Sequence, residues 1–240
     1  MVSIGCLLPV WARIFRPFVL FFLLLASTPV KAEVTGSFTL TSDYLFNGVS
    51  QTLEDPAAQL MLNWSADNGV YLGAFASNVD FGDDTNLEAD AYLGYYRQVT
   101  DNLGLDLGIA QYSYHGASYS SELNYAEAWL KFNYGDTGLN FWYAWDYFNT
   151  GAGHYIVMLN HNLELNEHFS ILFGVDKSTS LDRDKWQWQE NDKDYLHWQV
   201  TGTLSYGGFD WSLGIHDTDM ESDSAFPADA RAVLSISYSF

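Results

Sequence analysis

Arg231-Ala232-Val233-Leu234-Ser235-Ile236-Ser237-Tyr238-Ser239-Phe240 closes the chain, and its apolar side chains fall on every second position. Ala232, Leu234, Ile236, Tyr238 and Phe240 form one face; Arg231, Val233, Ser235, Ser237 and Ser239 form the other. Strict alternation of this kind is a β-strand with one greasy and one small polar face. Ending on the aromatic residue of such a strand is the habit of transmembrane β-barrels, whose last strand closes the cylinder. Phe240, Tyr238 and Ile236 are then expected to be read by the barrel-insertion machinery.

The other end of the chain agrees. Arg13 and Arg16 precede the apolar run Phe18–Ala26, and Val30-Lys31-Ala32 has the small-residue spacing of a signal-peptidase site. Residues 1–32 are therefore expected to be a cleaved export signal and 33–240 one barrel domain. The apolar run is shorter than the ~20 residues of a spanning helix. Cys6, the only cysteine, lies before that run, which excludes disulfides and thiolate metal sites from the exported part. Residues 33–240 carry seven basic and thirty acidic side chains, a formal charge of −23. Such a surface excludes nucleic acid as a partner and suits contact with water or cations.

Alternation recurs through the chain. Strands are expected at about 35–46, 57–65, 70–80, 87–99, 105–114, 123–134, 139–148, 154–164, 169–178, 195–206, 209–216 and 229–240. The connections alternate between short turns, such as 66–69, 100–102, 135–138, 165–168 and 207–208, and long loops, such as 47–56, 115–122, 179–194 and 217–228. Short turns on one rim and long loops on the other, with an even strand count, predict an up-and-down antiparallel barrel of about twelve strands in the outer membrane. Aromatic residues near strand ends (Trp64, Tyr134, Phe141, Tyr147, Tyr155, Phe169, Tyr206, Phe209, Phe240) fit interfacial girdles. Over 70–80 both parities are tolerable, Leu72-Ala74-Ala76 or Tyr71-Gly73-Phe75 toward lipid.

With the apolar faces outward, the expected lumen lining includes Asp43, Glu88, Asp90, Tyr92, Asp106, Tyr112, Glu127, Trp129, Lys131, Trp142, Asp146, Asp176 and Arg231. Acids outnumber bases, and acidic rings favour cations. A four-residue turn at 135–138 would set Glu127 opposite Asp146, as a proton-sharing or cation-holding pair, and Lys131 opposite Trp142. The same geometry puts Lys131 level with Asp106, where an internal salt bridge is expected, and lets Arg231 pair with Asp43 where the last strand meets the first.

The stretch Leu40-Thr41-Ser42-Asp43-Tyr44-Leu45-Phe46-Asn47-Gly48-Val49-Ser50-Gln51-Thr52, with Asp55-Pro56-Ala57 and Gln59, resembles the opening of the TorF-type porin family. Gly73–Phe81, Glu88–Tyr95 and Gly108 with Tyr112-Ser113-Tyr114 continue the likeness through about the first half of the exported chain. The resemblance implies an outer-membrane barrel acting as a channel, with no substrate or site residue to carry over. Many members have Arg where this chain has Asn47.

Other features read as bland. Asp217–Asp223 alternates acids but lacks the central Gly and the length of an EF-hand loop, so a solvated loop is expected rather than a calcium site. The loop 179–194, with Asp182-Arg183-Asp184-Lys185, Trp186 and Trp188, is open between a lumen constriction and a headgroup contact. His115, His154, His161, His168, His197 and His216 form no local motif. The reading is a passive, narrow, cation-leaning channel without cofactor, metal or catalytic residue. Its expected partners are outer-membrane lipid, lipopolysaccharide, and small solutes or cations; self-association is open. The alternatives are a barrel enzyme of lipase or protease type and a plugged structural or adhesive barrel.

Overall fold

The computed structural model describes residues 32–221 and 227–240. The expected signal segment lies outside the described residues up to Lys31, and so do Ser222 and Asp223 of the acidic loop. Twelve strands form the wall: β1 Ala32–Thr41, β2 Ala57–Ala66, β3 Val70–Asn78, β4 Leu87–Gln98, β5 Leu103–Tyr112 and β6 Tyr125–Tyr134. Then come β7 Thr137–Ala144, β8 His154–Asn166, β9 Phe169–Ser180, β10 Asp194–Tyr206, β11 Phe209–Thr218 and β12 Arg231–Ser239. Each strand pairs antiparallel with the next, and β12 returns to β1 through Ser37↔Ser239 and Leu40↔Ile236. The sheet has no free edge, which a strand in lipid requires.

The inverted pattern is plain on the outer wall. Leu93, Leu213 and Leu234 are each more than half exposed, as are Tyr134 and Tyr206 at the short-turn rim. Leu72 faces outward at 47% exposure while Tyr71 and Phe75 line the interior, which settles the parity of β3. Phe240 bonds to Gly36 in both directions (N–H to carbonyl 2.9 Å, and 2.8 Å in return), extending the seam by one pair.

Three strand ends differ from the sequence reading. β1 stops at Thr41, not at about 46, and the chain then turns at Asn47 and Gly48, which take positive φ (+48° and +84°). Those two form the tip of a small hairpin, Leu45–Phe46 against Val49–Ser50, that folds into the barrel. β7 stops at Ala144, so Trp145–Tyr147 leave the wall; Tyr147 is 2% exposed and belongs to an interior cluster, not to a lipid girdle. The turn after β6 is the two residues Gly135-Asp136, with Tyr134 opposite Thr137. That moves every β6–β7 pair by two residues: Glu127 faces Ala144, Lys131 faces Asn140, and Trp129 faces Trp142. The expected Glu127–Asp146 and Lys131–Trp142 pairs are therefore corrected.

Candidate functional site: the barrel interior

The half of the interior nearer the short turns is hollow. Two cavities of about 690 and 520 Å³ share Phe46, Lys131, Trp142 and His216 at their boundary. Asp43, Asp90, Tyr92, Asp106, Tyr112 and Trp129 line the larger, and Glu127 the smaller. Four expected lining residues, Glu88, Asp146, Asp176 and Arg231, border neither cavity. Glu88 is buried above the cavities, where it accepts the Tyr114 hydroxyl at 3.4 Å. Asp146 sits beyond the end of β7 and accepts the Gly151 N–H at 2.7 Å, holding a loop turn instead of facing Glu127.

The charged groups on the wall are individually placed. Asp106 accepts the Tyr71 hydroxyl at 2.6 Å and the Trp129 indole N–H at 2.8 Å. Trp129 lies flat on the wall because its neighbour is Gly108, where a Cβ would come within 2.2 Å of the ring. Lys131 is directly across from Asp106 in the β5–β6 ladder. It makes no ion pair within 4.0 Å among the described residues; its ammonium lies 5.3 Å from both the Trp129 and Trp142 ring centres. Glu127, 1% exposed, takes the Tyr112 hydroxyl on one oxygen at 3.2 Å, while Oε2 is buried without a partner among the described residues.

A polar belt crosses the opposite wall; the sequence reading placed Asp176, Arg231 and Asp43 inward and paired the last two, but missed His197, His216 and Glu54. Asp176 on β9 and His197 on β10 are register partners, with Oδ2 and Nδ1 2.7 Å apart. The other nitrogen of His197 is 3.2 Å from Nδ1 of His216 on β11. His216 in turn is the register partner of Arg231 on β12. Arg231 reaches Asp43 at 2.8 Å and Glu54 at 3.0 Å, so the seam holds both an inner and a loop carboxylate. The histidines were separated in sequence by whole strands, and only the β9–β11 register brings them together. Both nitrogens of His197 are occupied in the belt, by Asp176 and His216. Among the described residues no group of three or more His, Cys, Asp or Glu side chains is arranged to hold a metal.

The inward hairpin is fastened to this belt. Asn47 donates to Asp176 at 3.0 Å and its carbonyl accepts the Tyr195 hydroxyl at 3.1 Å. At Gly48 a Cβ would stand 2.5 Å from the His197 ring, so the tip seats only a glycine there.

The half nearer the long loops is packed with rings. Val79, Tyr114, Tyr125, Ala144 and Tyr147 are buried together, and Tyr44, Phe81, Tyr112, Phe148, Trp186 and Trp188 pack against them. The loop 179–194 therefore turns its tryptophans inward, which answers the question its sequence left open. Tyr147 stacks on His154 at 4.2 Å, and Tyr114 stacks on Phe148 at 5.3 Å. Burial pushes the Tyr147 hydroxyl well above its ordinary pKa, so this lid stays uncharged there.

Residues 26–239 match the model of a family described as "Bacterial protein of unknown function (Gcw_chp)". No curated protein matches the sequence. Among solved structures, the chain is similar to a KdgM porin at TM-score 0.57 and 10% identity, over 86% of this chain and 99% of the porin. A structure of the KdgM porin in complex with disordered oligogalacturonate gives TM-score 0.54 at 10% identity, over 88% and 99%. The NanC porin gives TM-score 0.55 at 8% identity, over 85% and 98%. At such identities the likeness is one of fold: a closed twelve-stranded antiparallel barrel of the porin kind.

Proposed function

We propose, from the premise that this chain belongs to the Gcw_chp family and has a porin-type barrel, that it is a passive outer-membrane channel for small, cation-leaning solutes. The observation that carries the reading is the pair of adjoining cavities, bordered together by four carboxylates, inside a wall whose outer face is apolar. Asp43, Asp90 and Asp106 border one cavity and Glu127 the other, against Lys131 as the lysine at their shared boundary. Carboxylates on a narrow low-dielectric bore raise local cation concentration and repel anions. A polyanion such as the oligogalacturonate bound by the KdgM porin is a poor match for that lining. The TorF-type motif at Leu40–Thr52 fits the same reading, since it supplies the hairpin that narrows the bore.

The ring-packed lid is the outer gate in this proposal, and the hairpin at residues 45–50 is the constriction. Outer-membrane lipid and lipopolysaccharide surround the wall, and Phe240, Tyr238 and Ile236 present the insertion signal on β12. No catalytic group is assigned. The test is the current across a planar bilayer holding the refolded chain under a salt gradient, with folding checked by heat-modifiable gel mobility. Discrete steps reversing on the cation side are expected. Asp90→Asn, Asp106→Asn and Glu127→Gln together should move the reversal potential toward zero. A silent bilayer from folded protein would overturn the channel reading.

A further inference from the structure

We infer that the solutes received by this lumen are alkylammonium ions, held between Trp129 and Trp142 where the Lys131 ammonium now lies; the inference rests on the channel reading and specifies its substrate class.

The argument begins with Lys131. A lysine inside a barrel with many acids would be expected to pair with one. It faces Asp106 across the ladder, yet its nitrogen lies 5.3 Å from each of two indole rings and beyond 4.0 Å from every described carboxylate. Cation–π attraction acts within ~6 Å of a ring centre. The two rings are register partners on adjacent strands, so the wall itself sets their spacing. Trp129 is fixed further by its N–H to Asp106 and by the absence of a side chain at Gly108. This is a cage formed before any ligand arrives, and it is filled by a tethered primary ammonium.

The second observation is independent of the rings. Oε2 of Glu127 is buried and without a partner among the described residues, on a side chain 1% exposed that borders the smaller cavity. An unpaired buried acceptor of this kind calls for an N–H donor. An alkylammonium ion brings three, and an apolar stem that the indoles cover. A hydrated inorganic cation wants several oxygen ligands in one shell instead.

The third is position. Lys131 and Trp142 border both cavities, so a solute crossing from one to the other passes this cage. Lys131 then competes with each arriving ammonium: it keeps the site occupied between solutes and hastens release. The cavities, about 690 and 520 Å³, have room for small organic ions.

The experiment uses n-butylammonium chloride with sodium chloride as the comparison. Tryptophan emission of the folded barrel in detergent reads binding, and reversal potential in a bilayer reads permeation. Butylammonium is expected to alter the emission at concentrations where sodium does not. Lys131→Met should tighten that response about tenfold, and Trp142→Leu should weaken it about tenfold. Trp142→Phe keeps a ring and should weaken it less, about threefold, which protects the test if the leucine variant does not fold. In the bilayer the butylammonium-to-sodium permeability ratio should rise with Lys131→Met and fall with Trp142→Leu. Emission and permeability ratio both unmoved by the Lys131 and Trp142 variants would overturn the inference while a conducting barrel kept the channel reading. A silent bilayer with the binding response intact and sensitive to Lys131→Met would keep the ammonium cage and overturn the channel.

Discussion

Strand β6 carries both halves of the interior on one face. Tyr125, at the long-loop end, is buried among rings; Glu127, Trp129, Lys131 and Asn133 then descend toward the short turns and border the cavities. The upper half is closed by side chains that belong mostly to loops, and the lower half is held open by a wall of paired backbone. The two are held by different forces. The wall is a continuous ring of ladder hydrogen bonds, while the lid is ring packing with few polar ties. Regions of the second kind open at lower free energy than the structures that carry them. On the proposed channel reading, closure lies where the packing can yield and selection where it cannot.

The sharpest way to break that contrast is to remove the ring at the centre of the lid. Tyr147 touches His154, Tyr125, Phe148 and both loop tryptophans. Tyr147→Ala should cost about 3–5 kcal/mol of lid packing while leaving every strand pair in place. The expected result is the largest rise in open-state occupancy of any single change, with protease cleavage appearing in the loop at 145–153 and heat-modifiable mobility retained. Unchanged currents would mean that the lid does not gate.

The hairpin is the next target, because it joins the two halves. Gly48→Val would place a branched side chain at φ +84°, against the His197 ring. The strain is about 1–3 kcal/mol, enough to unseat the tip without unfolding the barrel. Conductance should rise by less than with the lid variant, and ion selectivity should change as Asp176 loses Asn47. Asn47→Arg tests the same contact in the opposite sense: a cation beside Asp176 should lower cation preference and keep the hairpin seated. Selectivity that stays constant in both variants would remove the hairpin from the conduction path.

Arg231→Met acts beside the hairpin, at the long-loop end of the seam. It strips Asp43 of its cation but leaves the Ser50 and Thr52 hydroxyls at 2.6 and 3.0 Å. A loss of about 1–3 kcal/mol is expected, below that of an unaided buried pair. Thermal loss of heat-modifiable mobility would read it, and Arg231→Lys should recover part. A full loss of folding would show that the seam depends on this pair more than the hydroxyl contacts allow.

How far the sequence carries this picture depends on which half is considered. The wall was legible because each strand must satisfy two solvents, and alternation such as Phe209-Asp210-Trp211-Ser212-Leu213 records that on every residue. The hairpin at Asn47-Gly48 was not anticipated, since that segment was read as the start of the long loop 47–56. Of the belt, only the Arg231–Asp43 pair at the seam was legible. Asp176, His197 and His216 meet through register across three strands, and register depends on turn lengths such as the two-residue turn at Gly135-Asp136, which a count of polar residues overestimates. The lid was hidden for a different reason. Tyr147, Trp186 and Trp188 have the composition of a lipid girdle, and an aromatic residue at a strand end looks the same whether it turns out to the headgroups or in over the lumen.

The smallest expected effect marks the limit of the comparison between lid and wall. Lys177 points outward from β9 and pairs with Asp194 at 2.7 Å, the two side chains being 46% and 28% exposed. It lies close in sequence to Asp176 of the belt but on the opposite face of the same strand, so Lys177→Ala removes a charge near the long-loop rim without touching the interior. An exposed pair of this kind contributes about 0–1 kcal/mol. Thermal stability should move within that range, and conductance and reversal potential should stay where they are. A change in selectivity would mean that charge outside the wall is felt by permeating ions, and that the inner carboxylates are not the filter on their own. A change of zero, beside a large effect at Asp90, Asp106 and Glu127, would confine selection to the inward face, one residue away along the same kind of strand.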